Sequence, residues 1–575
     1  MSFFDDLKKN ISHNWRINVL FIFILLLSSF VTGRIFYLQV LANDNFTAQA
    51  EDQREFSSIL LPERGKIYMV DRFDTPTQLA TNGNEYSVYA IPKDIEDKED
   101  FANKISELLD VDHDILLNRI SKKDDPYEPV KAVISEEKKI ELEALDLSGI
   151  GFEVSQRRIY PNNNLASQVS GFLSEKDDNG VGQYGVEEYY DKELSGKPGF
   201  ASGEKDSLGL GFLSKDSQSY PAMNGDLIFL SIDPNVQFKI EDELKSVVEK
   251  WGVESASVIV MEPSSGRILG MANYPDFDPN NYSSVKDISY FTNRSVSGQY
   301  EPGSIFKPIT MAIGIDIGVI SPDTTYEDKG YLSISGYTIK NYDQKVHGVN
   351  TMTQVLEKSL NTGTVFAVEK IPKETYFDYI KKFGFGEKLG VDLPAEANGD
   401  IRNLATNRDI NYATASFGQG IAVTPLQMLS AISVIANGGD LIRPHVVDQI
   451  LHANGSRDHT KTEDIRRVIS KETAEKVKKM MVSVVENGFD KAKVPGYFVA
   501  GKTGTAQIPS TDGKGYSDET VHSFIGFAPA YDAKFAVLFK IDKPKDVRFA
   551  SQSLTEPFSN VIEYLLHYYE IPPDY

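Results

Sequence analysis

The 575-residue chain has no cysteine, which excludes disulfide bonds, thiol catalysis and cysteine-ligated metal or iron–sulfur centres, and leaves the compartment open. Positive charge is scarce. Sixty Lys and Arg stand against 83 Asp and Glu, and a net charge of −23 argues against a nucleic-acid-binding surface. The eight histidines are scattered, with no His-x-x-x-His pair beside carboxylates, so no zinc site is expected. What is present suits a folded protein: 41% apolar and 25% charged residues. The length accommodates roughly three or four domains of about 150 residues, or one small domain and one large one.

Residues 17–32 carry no charge, and after Gly33-Arg34 the apolar run resumes to Leu41. Together they are long enough to span a bilayer, because about 20 apolar residues suffice and Arg34 can snorkel to an interface. Lys8, Lys9 and Arg16 precede this segment, whereas the next basic residue after it is Arg54, so the N-terminus is expected in the cytoplasm and the remainder outside. Ala48-Gln-Ala50 resembles a cleavage site but lies too far beyond the apolar run for ordinary signal-peptide processing.

The alternation over residues 85–91 predicts a half-buried strand, and residues 93–147 read as charged, solvated helices. Arg64, Asp71, Arg158 and Glu187 are expected to pair in a buried ionic network. Glycine and serine over 199–219 predict a flexible surface segment, with a domain boundary near Gly225. Beyond it, residues 227–233 read as a strand, 234–251 as a helix opening at Pro234, and 255–262 and 267–273 as strands joined by a Pro-Ser-Ser-Gly turn. Further strands near Tyr497 and Ser523 suggest an antiparallel sheet flanked by helices.

Three short motifs carry chemistry. In Tyr300-Glu-Pro-Gly-Ser304-Ile-Phe-Lys307-Pro308, a lysine three residues beyond a serine lies on the same helical face, so Ser304 and Lys307 are expected to touch. Pro308 puts Ser304 at a helix start, where free N–H groups point outward. Ser-x-x-Lys also occurs at Ser135/Lys138, Ser202/Lys205 and Ser283/Lys286, so the motif has no weight alone. The second is Lys358-Ser359-Leu360-Asn361-Thr362-Gly363. Ser359 and Asn361 can converge only where the backbone leaves a helix, and Gly363 is the expected exit. Ser12/Asn14 is another Ser-x-Asn. The third, Lys502-Thr503-Gly504-Thr505, occurs once; glycines at 501 and 504 fit an edge strand that binds an extended peptide better than a phosphate loop.

In this order the motifs resemble those of the serine penicillin-recognising acyltransferases. The flanks of Ser304, the stretch Ser416-Phe-Gly418-Gln-Gly420, and Ser523-Phe-Ile-Gly-Phe-Ala-Pro529 are similar to class B penicillin-binding proteins, as are the membrane helix, Arg64-Gly65 and Arg158-Ile-Tyr160-Pro161. The resemblance implies an α+β chain: a cytoplasmic tail (1–16), one transmembrane helix (17–41), an elongated pedestal of the dimerisation type (42–222), and a serine β-lactamase-like transpeptidase domain (223–575) built on a five-stranded antiparallel sheet flanked by helices. It implies a peptidoglycan D,D-transpeptidase with Ser304 as nucleophile and Lys307 as its base. Ser359 relays a proton, Asn361 orients Lys307 and the substrate amide, and the cation of Lys502 lowers the pKa of Lys307. Lys502, Thr503, Gly504 and Thr505 bind the substrate, and the backbone N–H groups of Ser304 and Thr505 form the oxyanion hole. Stem peptides, β-lactams, the plasma membrane, and a polytopic SEDS-type glycan polymerase with division proteins are the implied partners.

No cofactor is required for acyl transfer from a serine ester. The 496–509 stretch and His522-Ser-Phe-Ile-Gly-Phe look more like the septal type, and the chain ends without the small C-terminal repeats of some relatives. The elongation type stays open, as do a β-lactam-hydrolysing enzyme and a D,D-carboxypeptidase. A signalling receptor would need more than the 16 residues before the helix. Two departures from the family pattern stand out. Leu360 replaces a small residue and is expected to narrow the cleft and shift penicillin affinity, and Asp71-Arg72-Phe-Asp74 runs into Thr-Pro-Thr-Gln where an Asn-Gly turn is usual.

Overall fold

The computed structural model describes residues 15–42, 55–122, 125–174, 180–205, 211–212, 219–510 and 515–575. Lys8, Lys9, Ser12, Asn14, Ala48 to Ala50, Arg54 and the side chain of Lys205 lie outside the described residues. The chain divides into two compact units, Met1–Pro62 with Lys197–Met223, and Glu63–Gly196 with Asn224–Tyr575.

In the first unit the apolar run forms an α-helix, Trp15–Phe36, continued by a wider turn, Tyr37–Leu41, with none of it buried. Arg34 lies over the Tyr37 ring, 5.4 Å from its centre. The segment expected to be flexible over 199–219 is not wholly so. Strand Gly199–Lys205 pairs antiparallel with Glu55–Leu60 and with Ser219–Tyr220. Glycine and serine disfavour a strand locally, but pairing on both sides supplies the backbone partners that composition does not reveal.

The second unit contains two large sheets. One has seven strands and joins Ile67–Val70, Pro76–Ala90, Glu128–Ile134 and Ile150–Ile159 to Leu227–Leu230, Val447–Leu451 and Arg457–His459, so it combines strands from both sides of residue 222. Glu128–Ile134 corrects the all-helical expectation for 93–147. One proline and two charged residues among seven hide the strand, and only Glu128 and Ile134 are buried, so no apolar alternation marks it. The turn after Val70 is held by Asp71, whose Oδ1 accepts from the N–H groups of Phe73 and Thr75, both at 2.8 Å. Asp71 is therefore absent from the ionic network, its carboxylate being used within four residues of itself.

The network forms around Glu187. Arg64 Nε donates to its Oε2 at 2.8 Å and Arg158 Nε to its Oε1 at 2.7 Å, and Arg64 also pairs with Asp191 at 2.8 Å. Burial opposes the charge of Glu187, but two guanidiniums outweigh it and hold the carboxyl below its usual value. Its folded pKa is depressed, so its contribution to stability is present above the ordinary carboxylate range and is lost as pH falls through the folded value. Glu187→Ala leaves the buried Arg158 without a carboxylate and Arg64 with Asp191 alone, and is expected to cost about 3–5 kcal/mol, read by urea unfolding at pH 7.

The second sheet runs Ile268–Tyr274, Ser255–Met261, Phe535–Asp542, Tyr516–Ala528, Ala500–Pro509, every neighbouring pair antiparallel. Strand Ser255–Met261 is buried throughout. Val258 and Val260 face the helices Pro234–Trp251 and Thr555–Tyr568, whereas Ile259 and Met261 face the core that holds Lys307–Asp316 and Pro425–Asn437. Apolar residues on both faces make a continuous run where a half-exposed strand would alternate. The helix Pro234–Trp251 starts where the sequence places it, because Asp233 caps it by accepting from Asn235 N at 2.9 Å and Pro234 needs no donor in the first turn.

Candidate active site

Three elements meet at one edge of the five-stranded sheet. Gly303–Phe306 forms a single 3₁₀ turn, and the α-helix Lys307–Asp316 follows with Pro308 in its first turn. The turn is wedged between backbones. Gly303 has φ 60° and donates its N–H to Gly418 O at 3.0 Å, and a Cβ on Gly418 would fall 2.3 Å from Gly303 O. On the other side lies Gly504, where a Cβ would come within 3.0 Å of Pro302 O and of the Ile305 side chain. Gly504 thus permits the strand Ala500–Pro509 to press against the Ser304 turn, and that strand is the sheet's edge, paired among the described residues only with Tyr516–Ala528.

The third element is the junction between helices Met352–Glu357 and Asn361–Glu369. Its exit from the first helix is Ser359, at φ 52°, and not Gly363. Gly363 lies inside the next helix, where a Cβ would meet the Val355 side chain at 2.4 Å, so it is there for close packing. Leu360 points away from the cleft: it is fully buried in the core, contrary to the expectation that it narrows the site. Breaking the helix at Ser359 turns Ser359 and Asn361 toward Lys307 and sends the residue between them inward.

Lys307 and Lys502 both have 0% exposure. Lys307 Nζ donates to Ser359 O at 2.6 Å and Asn361 Oδ1 at 2.9 Å and lies 3.3 Å from Ser359 Oγ. Lys502 Nζ reaches the same hydroxyl at 3.1 Å and Thr503 O at 3.0 Å. Burial, reinforced by the Lys502 cation, pushes Lys307 well below the ordinary lysine value, while burial lowers Lys502 to about 7. The arrangement therefore favours a neutral Lys307 beside a charged Lys502. A neutral amine has two hydrogens and a lone pair. Its two shortest contacts use the hydrogens, and the lone pair is left to accept a proton, with the Ser359 hydroxyl able to link the two lysines.

Among the described residues no hydrogen bond joins Lys307 to the Ser304 hydroxyl. The shortest contacts of Nζ go instead to Ser359 and Asn361. Thr503 and Thr505 are half-buried on the edge strand, and Thr505 Oγ1 accepts from Ala550 N at 3.0 Å. Two of the other Ser-x-x-Lys pairs are placed differently, and the side chain of Lys205 in the third lies outside the described residues. Ser135 caps the helix Glu136–Glu143, and Ser283 and Lys286 are exposed.

Residues 256–563 match the Penicillin binding protein transpeptidase domain, and residues 59–230 match the Penicillin-binding Protein dimerisation domain. Stage V sporulation protein D of Bacillus subtilis is 33% identical over 93% of the chain and 83% of its own length. The chain belongs to the class B penicillin-binding proteins. Another member, the probable peptidoglycan D,D-transpeptidase PbpC of Pseudomonas aeruginosa, is 30% identical over 98% of this chain and 96% of its own. The crystal structure of penicillin binding protein 2X from Streptococcus thermophilus has the same fold, with a TM-score of 0.77 at 24% identity over 90% of this chain and 81% of that one.

The class B fold places further groups at the site that sequence reasoning did not single out. Behind Asn361 lies the buried carboxylate of Asp328, which accepts from Thr362 Oγ1 at 2.7 Å, from Asn341 Nδ2 at 3.0 Å and from His347 N at 2.8 Å. Asn361 Nδ2 itself donates to Lys340 O at 2.9 Å, which orients Oδ1 toward Lys307. A lone Asp among 83 acidic residues has no signature in sequence. Its partners lie 13 to 34 residues away.

Proposed function

We propose that this class B penicillin-binding protein is a peptidoglycan D,D-transpeptidase of septal wall synthesis, with Ser304 as the acylated residue. The observation that carries the reading is the linked pair of buried lysines, Lys307 and Lys502, meeting at the Ser359 hydroxyl beside the Ser304 turn and an unpaired strand edge. A donor stem peptide adds to that edge as an extended strand. Lys502, Thr503 and Thr505 hold its terminal carboxylate, and Gly504 keeps the edge strand against the Ser304 turn. Neutral Lys307 takes the proton of Ser304 as Oγ attacks the penultimate D-alanine carbonyl; such apo geometry commonly tightens only when substrate is bound. The N–H groups of Ser304 and Thr505 stabilise the oxyanion, each donor being worth about 3 kcal/mol. As the C–N bond breaks, the proton passes through Ser359 to the departing amine, and D-alanine leaves. An amine of a second stem peptide then attacks the ester, forms the cross-link and returns the proton to Ser304. Asn361 keeps Lys307 and the substrate amide in line.

In this reading 1–16 is cytoplasmic, 17–41 anchors the chain in the plasma membrane, 42–222 is the pedestal and 223–575 is the catalytic domain on the outer face. The membrane helix and pedestal would contact a polytopic SEDS-type glycan polymerase and division proteins. Penicillins acylate Ser304 as mimics of the donor end, and the adduct of the purified protein is expected to persist for many minutes in intact-mass spectra. Turnover within seconds would assign a hydrolase instead. The 496–509 and 522–527 stretches support the septal role; a tagged protein should form a mid-cell band, and sidewall patches without one would favour the elongation type.

A further inference from the structure

Beside the Ser304 turn is a cavity of about 210 Å³ that the reaction above does not use. Arg294, Tyr300 and Glu301 line it from the segment leading into the turn, Gln507 from the edge strand, and Lys540 and Asp542 from the neighbouring sheet. Lys540 and Asp542 neutralise each other at 2.6 Å. One cation and one anion are left over. Among the described residues, neither Arg294 nor Glu301 has an ion pair within 4.0 Å. Glu301 accepts only from neutral groups, Gly420 N at 2.9 Å and Tyr516 OH at 3.1 Å, and its burial raises the carboxyl above its ordinary value. The Tyr300 hydroxyl is buried with no hydrogen-bond partner among the described residues. A half-exposed cation and a half-buried anion that line one small cavity without pairing leave room for a ligand that carries both signs of charge.

The place of the cavity along the strand identifies the ligand's source. A peptide whose carboxyl end lies at Thr503 and Thr505 cannot continue past Lys502, because the Lys502–Ser359 contact at 3.1 Å closes that end. Its upstream residues therefore run toward Gln507, and at about 3.4 Å per residue the one preceding the scissile D-alanine lies near the cavity mouth. We propose that the cavity is a subsite for a donor side chain that ends in an amino-acid head group, with its ammonium on Glu301 and its carboxylate on Arg294. A meso-diaminopimelate side chain has that head group and a lysine side chain has only the ammonium. The proposal rests on the transpeptidase reading and deepens it by naming the donor class.

The test uses the full-length protein in detergent with two synthetic stem pentapeptides that differ only in the third residue, meso-diaminopimelate or L-lysine, and measures D-alanine release. Wild-type kcat/KM is expected to favour the diaminopimelate donor by about tenfold or more, as charge-assisted pairing with Arg294 is gained by that donor alone. Arg294→Gln should bring the ratio close to one by weakening only the diaminopimelate donor, and Arg294→Lys should restore part of the preference. Wild-type protein that penicillin acylates but that uses both donors equally, or prefers lysine, overturns the subsite and leaves the transpeptidase reading intact. If penicillin does not acylate the wild type, the transpeptidase reading fails and the subsite with it.

Discussion

Replacing Ser304 with alanine is expected to eliminate the covalent penicillin adduct and to lower donor turnover by on the order of 10⁶-fold, the loss seen when a serine nucleophile is removed from a working constellation. No neighbouring hydroxyl is placed to substitute. Ser359 Oγ is held between the two lysine amines, at 3.3 Å and 3.1 Å, and Thr505 Oγ1 is occupied by Ala550 N. Ser304 alone sits in the turn that Gly418 and Gly504 press from either side. Because Ser304 is only half-buried and the turn is shaped by its glycines, the alanine variant should keep its melting temperature. Intact-mass analysis after incubation with penicillin reads the outcome directly. An adduct on the folded variant at another residue would remove Ser304 from the mechanism.

Lys307→Arg is expected to slow penicillin acylation by about 10²–10⁴-fold at every pH, because a guanidinium keeps its proton and cannot act as a base. The wild-type profile follows from the same pair. Acylation should rise with pH as Lys307, held well below its ordinary value by burial and by the Lys502 cation, loses its proton. It should fall again as pH passes through the Lys502 value of about 7, because the free protein then lacks the cation that receives the carboxylate. The two limbs belong to the coupled pair and not to either lysine separately. Lys502→Arg fixes the second charge and is expected to move the alkaline limb upward, while Lys502→Met should weaken acylation across the range. Second-order acylation rates between pH 5 and 10 measure both. A profile for Lys502→Arg that coincides with the wild type would separate the alkaline limb from Lys502.

How far sequence reasoning reached depended on the range of the interactions involved. The apolar run of the membrane helix, the Asp233-Pro234 helix start and the doubly buried strand Ser255–Met261 are written in adjacent residues, and each forms close to its expected bounds. The strand Gly199–Lys205 was hidden because its stability comes from pairing with Glu55–Leu60, on the order of 140 positions away in the chain. At the site, the type and order of Ser304, Lys307, Ser359, Asn361 and Lys502 were legible, since their spacings are short.

Sequence by itself determined the family, the absence of thiol chemistry, the long N-terminal apolar helix and the edge strand that carries Gly501 and Gly504. Only the tertiary structure decided that the Ser304/Lys307 pair has a second buried lysine beside it, that the chain leaves its helix at Ser359, that Leu360 faces the core, and that Arg294 and Glu301 share a cavity without pairing. The reason is physical. Caps, turns and apolar runs act over a few residues, whereas desolvation and charge proximity, which give Lys307 its free lone pair, arise where segments about 50 to 200 residues apart pack together.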